Sequence, residues 1–375
     1  MTDTIYLDHN ATTTVRPQAA QAVIDALSMC GNASSVHRFG RLAKRVLEDA
    51  RERVAVLVGA KPSQVIFTSG GTEANNLALH GSGCVRVLAS SVEHVSVLDA
   101  RDRVTEIPVD NEGLLNLDAL SALLDSGQNS TLVSVMYANN ETGVIQPIRE
   151  IAEQAHARQA LFHCDAIQGA GKTALSFADT GADLLSLSAH KIGGPQGVGA
   201  LIVREGLDLA PVISGGGQEL RKRAGTENLP GIAGFGAAAE AAFANIENFQ
   251  RLAVLRDRLE MLIGRLAPVK IFGAGVERLA NTSCFTMPGV NAEVQVMGLD
   301  IAGVAISAGS ACSSGKVEPS HVLRAMDVDE QHAGSAIRVS FGWDSKDSDV
   351  ERFVEAWGTV YSRAGNAPDV AVLTG

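Results

Sequence analysis

Between residues 65 and 203 the sequence alternates short apolar runs with amphipathic stretches, and this rhythm restricts the fold more than any other feature. VIFT (65–68), VRVLAS (85–90), LVSVMYA (132–138), ALFHCDA (160–166), LLSLS (184–188) and GALIV (199–203) have strand length and are apolar on both faces. Such runs suit a sheet covered by helices on either side. Stretches between them, IREIAEQAHA among others, carry helical periodicity. Strands alternating with helices predict an α/β domain with a mostly parallel sheet. Two helices precede the first strand. Ala19, Ala22, Val23, Ala26 and Leu27 share one face of a helix over residues 17–27, and Leu42, Val46, Leu47, Ala50 and Val54 repeat the pattern until Gly59 stops it.

After about residue 229 the rhythm changes to a long Ala-rich helix, short strands (VKIFG, SCFTM, VAIS, AIRVSF) and an amphipathic helix near 347–362. That change predicts a second, smaller α+β lobe. The expected division is a large domain over residues 14–250 and a small one built from 1–13 and 251–375, with no structure assigned to the tail from Asn366.

Composition narrows the function. The five cysteines of this 375-residue chain (Cys30, Cys84, Cys164, Cys284, Cys312) are scattered without close pairs, which speaks against a disulfide framework or a zinc knuckle and fits a reducing compartment. The opening MTDTIYLDHNA is acidic and polar where a secretory signal is basic and then apolar, and no run of about 18 apolar residues occurs. A cytoplasmic protein away from membranes is expected. A net charge of −11 argues against nucleic acid as a partner, despite the basic spot at Arg221, Lys222 and Arg223.

Four constellations can carry chemistry. SGGTEANN (69–76) follows a strand and opens a helix, so its free N–H groups can cradle an anion, though an ordinary βα turn looks the same. AIQGAGKT (166–173) approaches a nucleotide-binding P-loop but begins with Ala166 in place of glycine and lies beside Asp165, which would repel a triphosphate. In LLSLSAHKIGGPQGVGAL (184–201), Ser188, His190 and Lys191 stand at a strand end, where a desolvated lysine can act as a Schiff-base amine; a solvated turn lysine is the plain alternative. In ISAGSACSSGKVEPSH (306–321), Cys312 lies among small residues that suit a travelling nucleophile, or merely fill a loop. A phosphate cradle, an acid at Asp165, a strand-end lysine and an accessible thiol have one common explanation, pyridoxal phosphate. That cofactor needs a lysine, an acidic partner for its pyridinium nitrogen and a phosphate anchor.

The sequence resembles the NifS/IscS-type cysteine desulfurases, fold-type I pyridoxal-phosphate enzymes of the class V aminotransferase kind. The resemblance runs through YLDHNATT, GNASSVHRFG, SGGTEANN, EHVSV, MYANNETGV, HCDAIQ, SAHKIGGPQGVGAL, RAGTEN, SAGSACSSG and AIRVSFG. It implies that Lys191 holds the cofactor, Asp165 pairs with the pyridinium nitrogen and Gln168 with the phenolic oxygen, and that His94 stacks on the ring as an acid/base candidate. Gly71, Thr72, Ser188 and His190 would hold the phosphate, with Thr226 reaching in from the second subunit of a homodimer. Asn140 would lie beside cofactor and substrate, and Arg338 would clamp the substrate carboxylate. By the same resemblance Cys312 takes sulfur from L-cysteine as a persulfide, L-alanine leaves, and the sulfur passes to an acceptor or iron–sulfur scaffold protein, with Cys312 a transient cluster ligand there. The chain ends soon after its last helix, without the long tail of the housekeeping enzymes, and the stretch around Cys312 is similar to the nitrogenase-associated branch. A role in iron–sulfur or nitrogenase cluster assembly is therefore expected. Ala33 replaces the proline frequent in GNPSS-like blocks. Selenocysteine lyase or another fold-type I aminotransferase is the near alternative, and a P-loop-like nucleotide-binding protein the distant one.

Overall fold

The computed structural model describes residues 4–100, 104–127, 130–309 and 320–364. Its described strands are β1 (Ile5–Tyr6), β2 (Val65–Thr68), β3 (Arg86–Ser90), β4 (Val104–Ile107), β5 (Thr131–Met136), β6 (Leu161–Asp165), β7 (Leu184–Ser188), β8 (Gly199–Val203), β9 (Thr282–Thr286), β10 (Val304–Ala305), β11 (Ser307–Ala308) and β12 (Ala336–Ser340). Seven of them form one sheet in the order β2-β8-β7-β6-β5-β3-β4. Every neighbouring pair is parallel except those of β8, which runs antiparallel to both β2 and β7.

Side chains alternate between two apolar layers, as strand geometry requires. On one face Phe67, Val133, Val135, Phe162, Leu185 and Ile202 pack with α2 (Arg38–Leu57) and the helix Leu229–Phe243. On the other, Ile66, Val87, Leu132 and Leu201 pack with Leu77 and Leu79 of α3 (Gly71–Gly81). Both faces are thus covered, which is why these runs read as continuously apolar. Pro17 opens α1 (Pro17–Leu27), the His37 side chain caps α2, and Gly59 ends α2 at φ +60°, a left-handed conformation that favours glycine.

A separate core gathers Leu7 from the amino-terminal segment with Leu259, Phe285, Ile337, Phe341, Phe353 and Trp357. It packs against a three-stranded antiparallel sheet, β11-β12-β9, and the parallel pair β1-β10. Two short runs differ from the sequence expectation. VKIFG makes only an isolated bridge, Ile271 to Phe285, before the chain turns at Gly273 (φ +68°). VAIS is divided, with Val304–Ala305 pairing β1 and Ser307–Ala308 pairing β12. Among the described residues no helix is long and apolar enough to cross a membrane.

One register row positions the chemistry. Thr68 at the end of β2 pairs with Gly199, which pairs with Ser188 at the end of β7. A Cβ on Gly199 would lie 2.6 Å from the Gly70 carbonyl carbon and 2.7 Å from the Leu187 oxygen, so the backbones approach as only glycine permits.

Candidate active site

Three strand ends and one helix start converge. Lys191 follows β7 through a single 3-10 turn, Ala189–Lys191, and its Nζ donates to the carbonyls of Asn10 (2.6 Å) and Ala11 (2.7 Å). Burial and the Arg338 guanidinium lower its pKa to about 8, against the pull of Asp8 and Asp165. Asp165 ends β6 fully enclosed. Asn75 Nδ2 donates to its Oδ2 at 2.7 Å and the Ile167 N–H to its Oδ1 at 3.0 Å. Burial raises the Asp165 pKa, opposed by those hydrogen bonds and by His94 and Lys191.

His94 caps the short helix α4 (Val95–Leu98), its Nδ1 accepting from the Ser96 N–H at 3.1 Å. An accepting Nδ1 leaves the neutral ring's proton on Nε2. Burial lowers its pKa, with Asp165 working the other way. Asn75 Nδ2 also donates to Ser96 Oγ at 2.9 Å, and Ser96 Oγ lies 2.9 Å from His94 Nδ1, so a hydrogen-bonded chain joins His94 to Asp165.

The start of α3 meets the end of β7. A Cβ on Gly71 would fall 2.3 Å from Ile167 Cδ1 and 3.5 Å from Ser188 Cβ. Ser188 Oγ is buried with no hydrogen-bond partner among the described residues, a costly condition unless a ligand satisfies it. Thr72 stands exposed at the second position of this helix, whose unpaired N–H groups attract an anion. His190, whose Nδ1 lies 3.2 Å from Thr12 Oγ1, is pushed down to about 4 by burial and then by Lys191, so its ring is neutral. An orphaned hydroxyl, a helix N-terminus, a buried acid and a lysine near neutral fit the demands of pyridoxal phosphate.

Arg338 on β12 donates through Nη2 to Asp8 Oδ1 (2.5 Å) and through Nη1 to the Asn140 carbonyl (2.9 Å), while its buried Nε has no partner among the described residues. Asn140 therefore meets it through the main chain. Gln168 Nε2 donates to the Asn10 carbonyl at 2.9 Å. Thr226 is exposed and is not gathered with these groups. Cys312, the expected nucleophile and transient cluster ligand, lies outside the described residues. Of the described cysteines, Cys84, Cys164 and Cys284 are buried and Cys30 is exposed.

The P-loop alternative fails on this geometry. Residues 166–173 form tight turns that no helix continues, and Lys172, only 4% exposed, is turned inward and donates to Asn10 Oδ1 and Gln168 Oε1. Asn10 and Glu93 went unassigned in the sequence. The Asn10 carbonyl serves both Lys191 and Gln168, a role visible only in three dimensions. Glu93 is fully buried and accepts from the Met136 N–H at 2.6 Å; burial and the nearby Asp165 push its pKa well up.

This sheet, with its lysine one turn beyond a strand end and a smaller α+β lobe beside it, defines a fold-type I pyridoxal-phosphate enzyme. The profile described as aminotransferase class-V matches residues 5–353. A cysteine desulfurase of Cereibacter sphaeroides is 44% identical over 94% of this chain and 94% of its own. A NifS-like protein from Rickettsia africae superposes with a TM-score of 0.89 at 37% identity, covering 96% of this chain and 99% of that one. The structure titled SspA in complex with cysteine gives a TM-score of 0.77 at 31% identity over 90% of this chain and 98% of that one. The chain belongs to the class-V aminotransferase family, among its NifS/IscS-type cysteine desulfurases, and its cofactor is pyridoxal 5′-phosphate.

Proposed function

We propose that this enzyme converts L-cysteine to L-alanine and leaves the sulfur on Cys312 as a persulfide for an acceptor protein. The transfer balances: L-cysteine plus the Cys312 thiol gives L-alanine plus the Cys312 persulfide, and no external oxidant or reductant is consumed. The observation that carries the reading is the meeting of Lys191, Asp165 and the unpartnered Ser188 hydroxyl at neighbouring strand ends. The neighbour bound to cysteine supports the substrate.

When bound, pyridoxal phosphate withdraws electrons from the substrate so that its carbon–sulfur bond can break. The protein's residues prepare that event. A Lys191 amine near 8 is partly neutral at physiological pH and can bond covalently to the cofactor. Asp165 supplies a buried negative charge for the ring nitrogen. Gly71, Thr72, Ser188 and His190 line the phosphate end, and Gln168 offers an N–H to the phenolic oxygen. His94 carries a transferable proton on Nε2. Arg338 and Asn140 receive the substrate carboxylate, with the unpaired Arg338 Nε as an available donor. The Cys312 thiolate attacks the substrate sulfur.

The exposed apolar residues Ile24, Leu27, Phe39 and Leu42 support a homodimer in which Thr226 completes the partner's site. The core around Leu259, Phe285 and Trp357, distinct from the two layers on the seven-stranded sheet, supports a large domain over 14–250 and a small one from 1–13 and 251–375. The scatter of the cysteines along the sequence, without close pairs, supports a cytoplasmic location, and the NifS-like resemblance supports sulfur supply for iron–sulfur or nitrogenase clusters, with Cys312 a transient ligand. The test is alanine and persulfide production from L-cysteine. Wild type should yield both, Cys312→Ala should bind cofactor yet yield neither, and Lys191→Ala should lose the yellow colour. A colourless wild type, or full turnover by Cys312→Ala, refutes the reading.

A further inference from the structure

Lys172 is a fully enclosed amine whose role the established chemistry leaves open. Its backbone N–H donates to the Gly169 carbonyl at 3.1 Å, and Gly171 takes φ +70° where a Cβ would lie 3.0 Å from both Ala242 Cβ and Ile192 Cγ2. Gln250 Nε2 ties down the Lys172 carbonyl at 2.8 Å. The glycines that resemble a P-loop thus serve to fold the lysine back beneath Gln168. Its Nζ donates to Gln168 Oε1 at 2.6 Å and to Asn10 Oδ1 at 2.8 Å.

That pair of bonds settles the orientation of the Gln168 amide. With Oε1 taken by the amine, Nε2 faces the Asn10 carbonyl at 2.9 Å, the same carbonyl that holds Lys191. A flipped amide would set oxygen against carbonyl and N–H against amine. Asn10 cannot turn to relieve it, because its Nδ2 donates to Thr282 Oγ1 and the Asn140 carbonyl while its Oδ1 also accepts from Asn281. Among the described residues the second Nε2 proton has no partner.

We propose that Lys172 is a positioning residue that acts through Gln168, fixing its amide so that an N–H and not an oxygen faces the phenolic oxygen of the cofactor. This rests on the cofactor reading of the site. The amine needs no charge for the task, since two N–H bonds serve two oxygens. Burial, Lys191 and Arg338 all weaken its hold on a third proton.

An N–H donated to the phenolic oxygen withdraws electron density and lowers the proton affinity of the conjugated Lys191 nitrogen. The other charged and titratable groups facing Lys191 are Arg338, Asp8, Asp165, His94 and His190, and those facing Lys172 are Lys191, Arg338 and His9. A purely electrostatic effect of Lys172 would not pass through Gln168, so a double-mutant cycle separates the two. The pH midpoint of the visible absorption band is read for wild type, Lys172→Met, Gln168→Leu and the double variant, each loaded with pyridoxal phosphate. Each single variant is expected to raise the midpoint by about one pH unit, roughly tenfold in proton affinity, and the double variant no further. Should Lys172→Met not be recovered folded, Lys172→Gln, one atom shorter but still able to donate to one of the two oxygens, is expected to shift the midpoint the same way by a smaller amount. An unmoved midpoint, or shifts that add in the double variant, overturns the inference while leaving the cofactor reading intact. A wild type without the band overturns both.

Discussion

The lowered pKa of Lys191 predicts how fast that amine reacts at each pH, before any cofactor arrives. An ordinary lysine at 10.5 is neutral in about 0.03% of molecules at pH 7, whereas one at about 8 is neutral in about 9%, an advantage of roughly 300-fold. The sign follows from the causes. Burial and Arg338 both penalise the ammonium, so the proton leaves earlier than from a solvated lysine. Trace acetylation of the cofactor-free protein, read by mass spectrometry of the Lys191 peptide against exposed Lys44 and Lys61, measures it directly. The Lys191 rate should rise about tenfold from pH 7 to 9 and then level off. Arg338→Gln should move the plateau to higher pH. A Lys191 rate still climbing about tenfold between pH 9 and pH 10 refutes the argument.

Arg338→Lys removes the planar fork and should raise KM for L-cysteine about 10- to 100-fold while leaving the visible band intact, measured by steady-state alanine release. Gly71→Val places methyl groups where Ile167 Cδ1 lies 2.3 Å from the first added carbon; cofactor affinity, measured by equilibrium dialysis, should fall about 10- to 100-fold. Arg51→Met strands Glu219, whose buried carboxylate is held by Arg51 at 2.8 Å and 2.8 Å and by the Phe67 N–H. Denaturant unfolding should show a loss of about 3–5 kcal/mol.

Strand and helix were legible wherever burial imposed a period. LLSLS and GALIV match β7 and β8 residue for residue, and the helix at residues 17–27 begins and ends as its pattern predicts. The antiparallel insertion of β8 was not legible, because a strand covered on both faces has the same composition in either direction. VKIFG failed as a strand since a single bridge to β9 is all that the turn at Gly273 leaves. At the site, Lys191 and Asp165 were readable from their places at strand ends. Asn10 was not, because its work is done by a main-chain carbonyl and by partners as distant in sequence as Ser340. Lys172 carried a misleading signal, since glycines that could wrap a phosphate could equally well bring a lysine inward.

Gly199 acts as a gauge between two turns of the site. The turn after β2 and the lysine turn after β7 stand one strand on either side of it, a span of about 9–10 Å fixed by two hydrogen-bonded ladders. Neither loop has to find the other during each catalytic cycle, because the distance is set when the sheet forms. The loops themselves can drift in sequence over evolutionary time without losing that spacing. A slip of one residue in the β8 register would shift one turn against the other by about 3.4 Å and turn every β8 side chain to the wrong layer. The sheet thereby couples correct folding to correct cofactor spacing, so a misregistered chain is both unstable and unable to load.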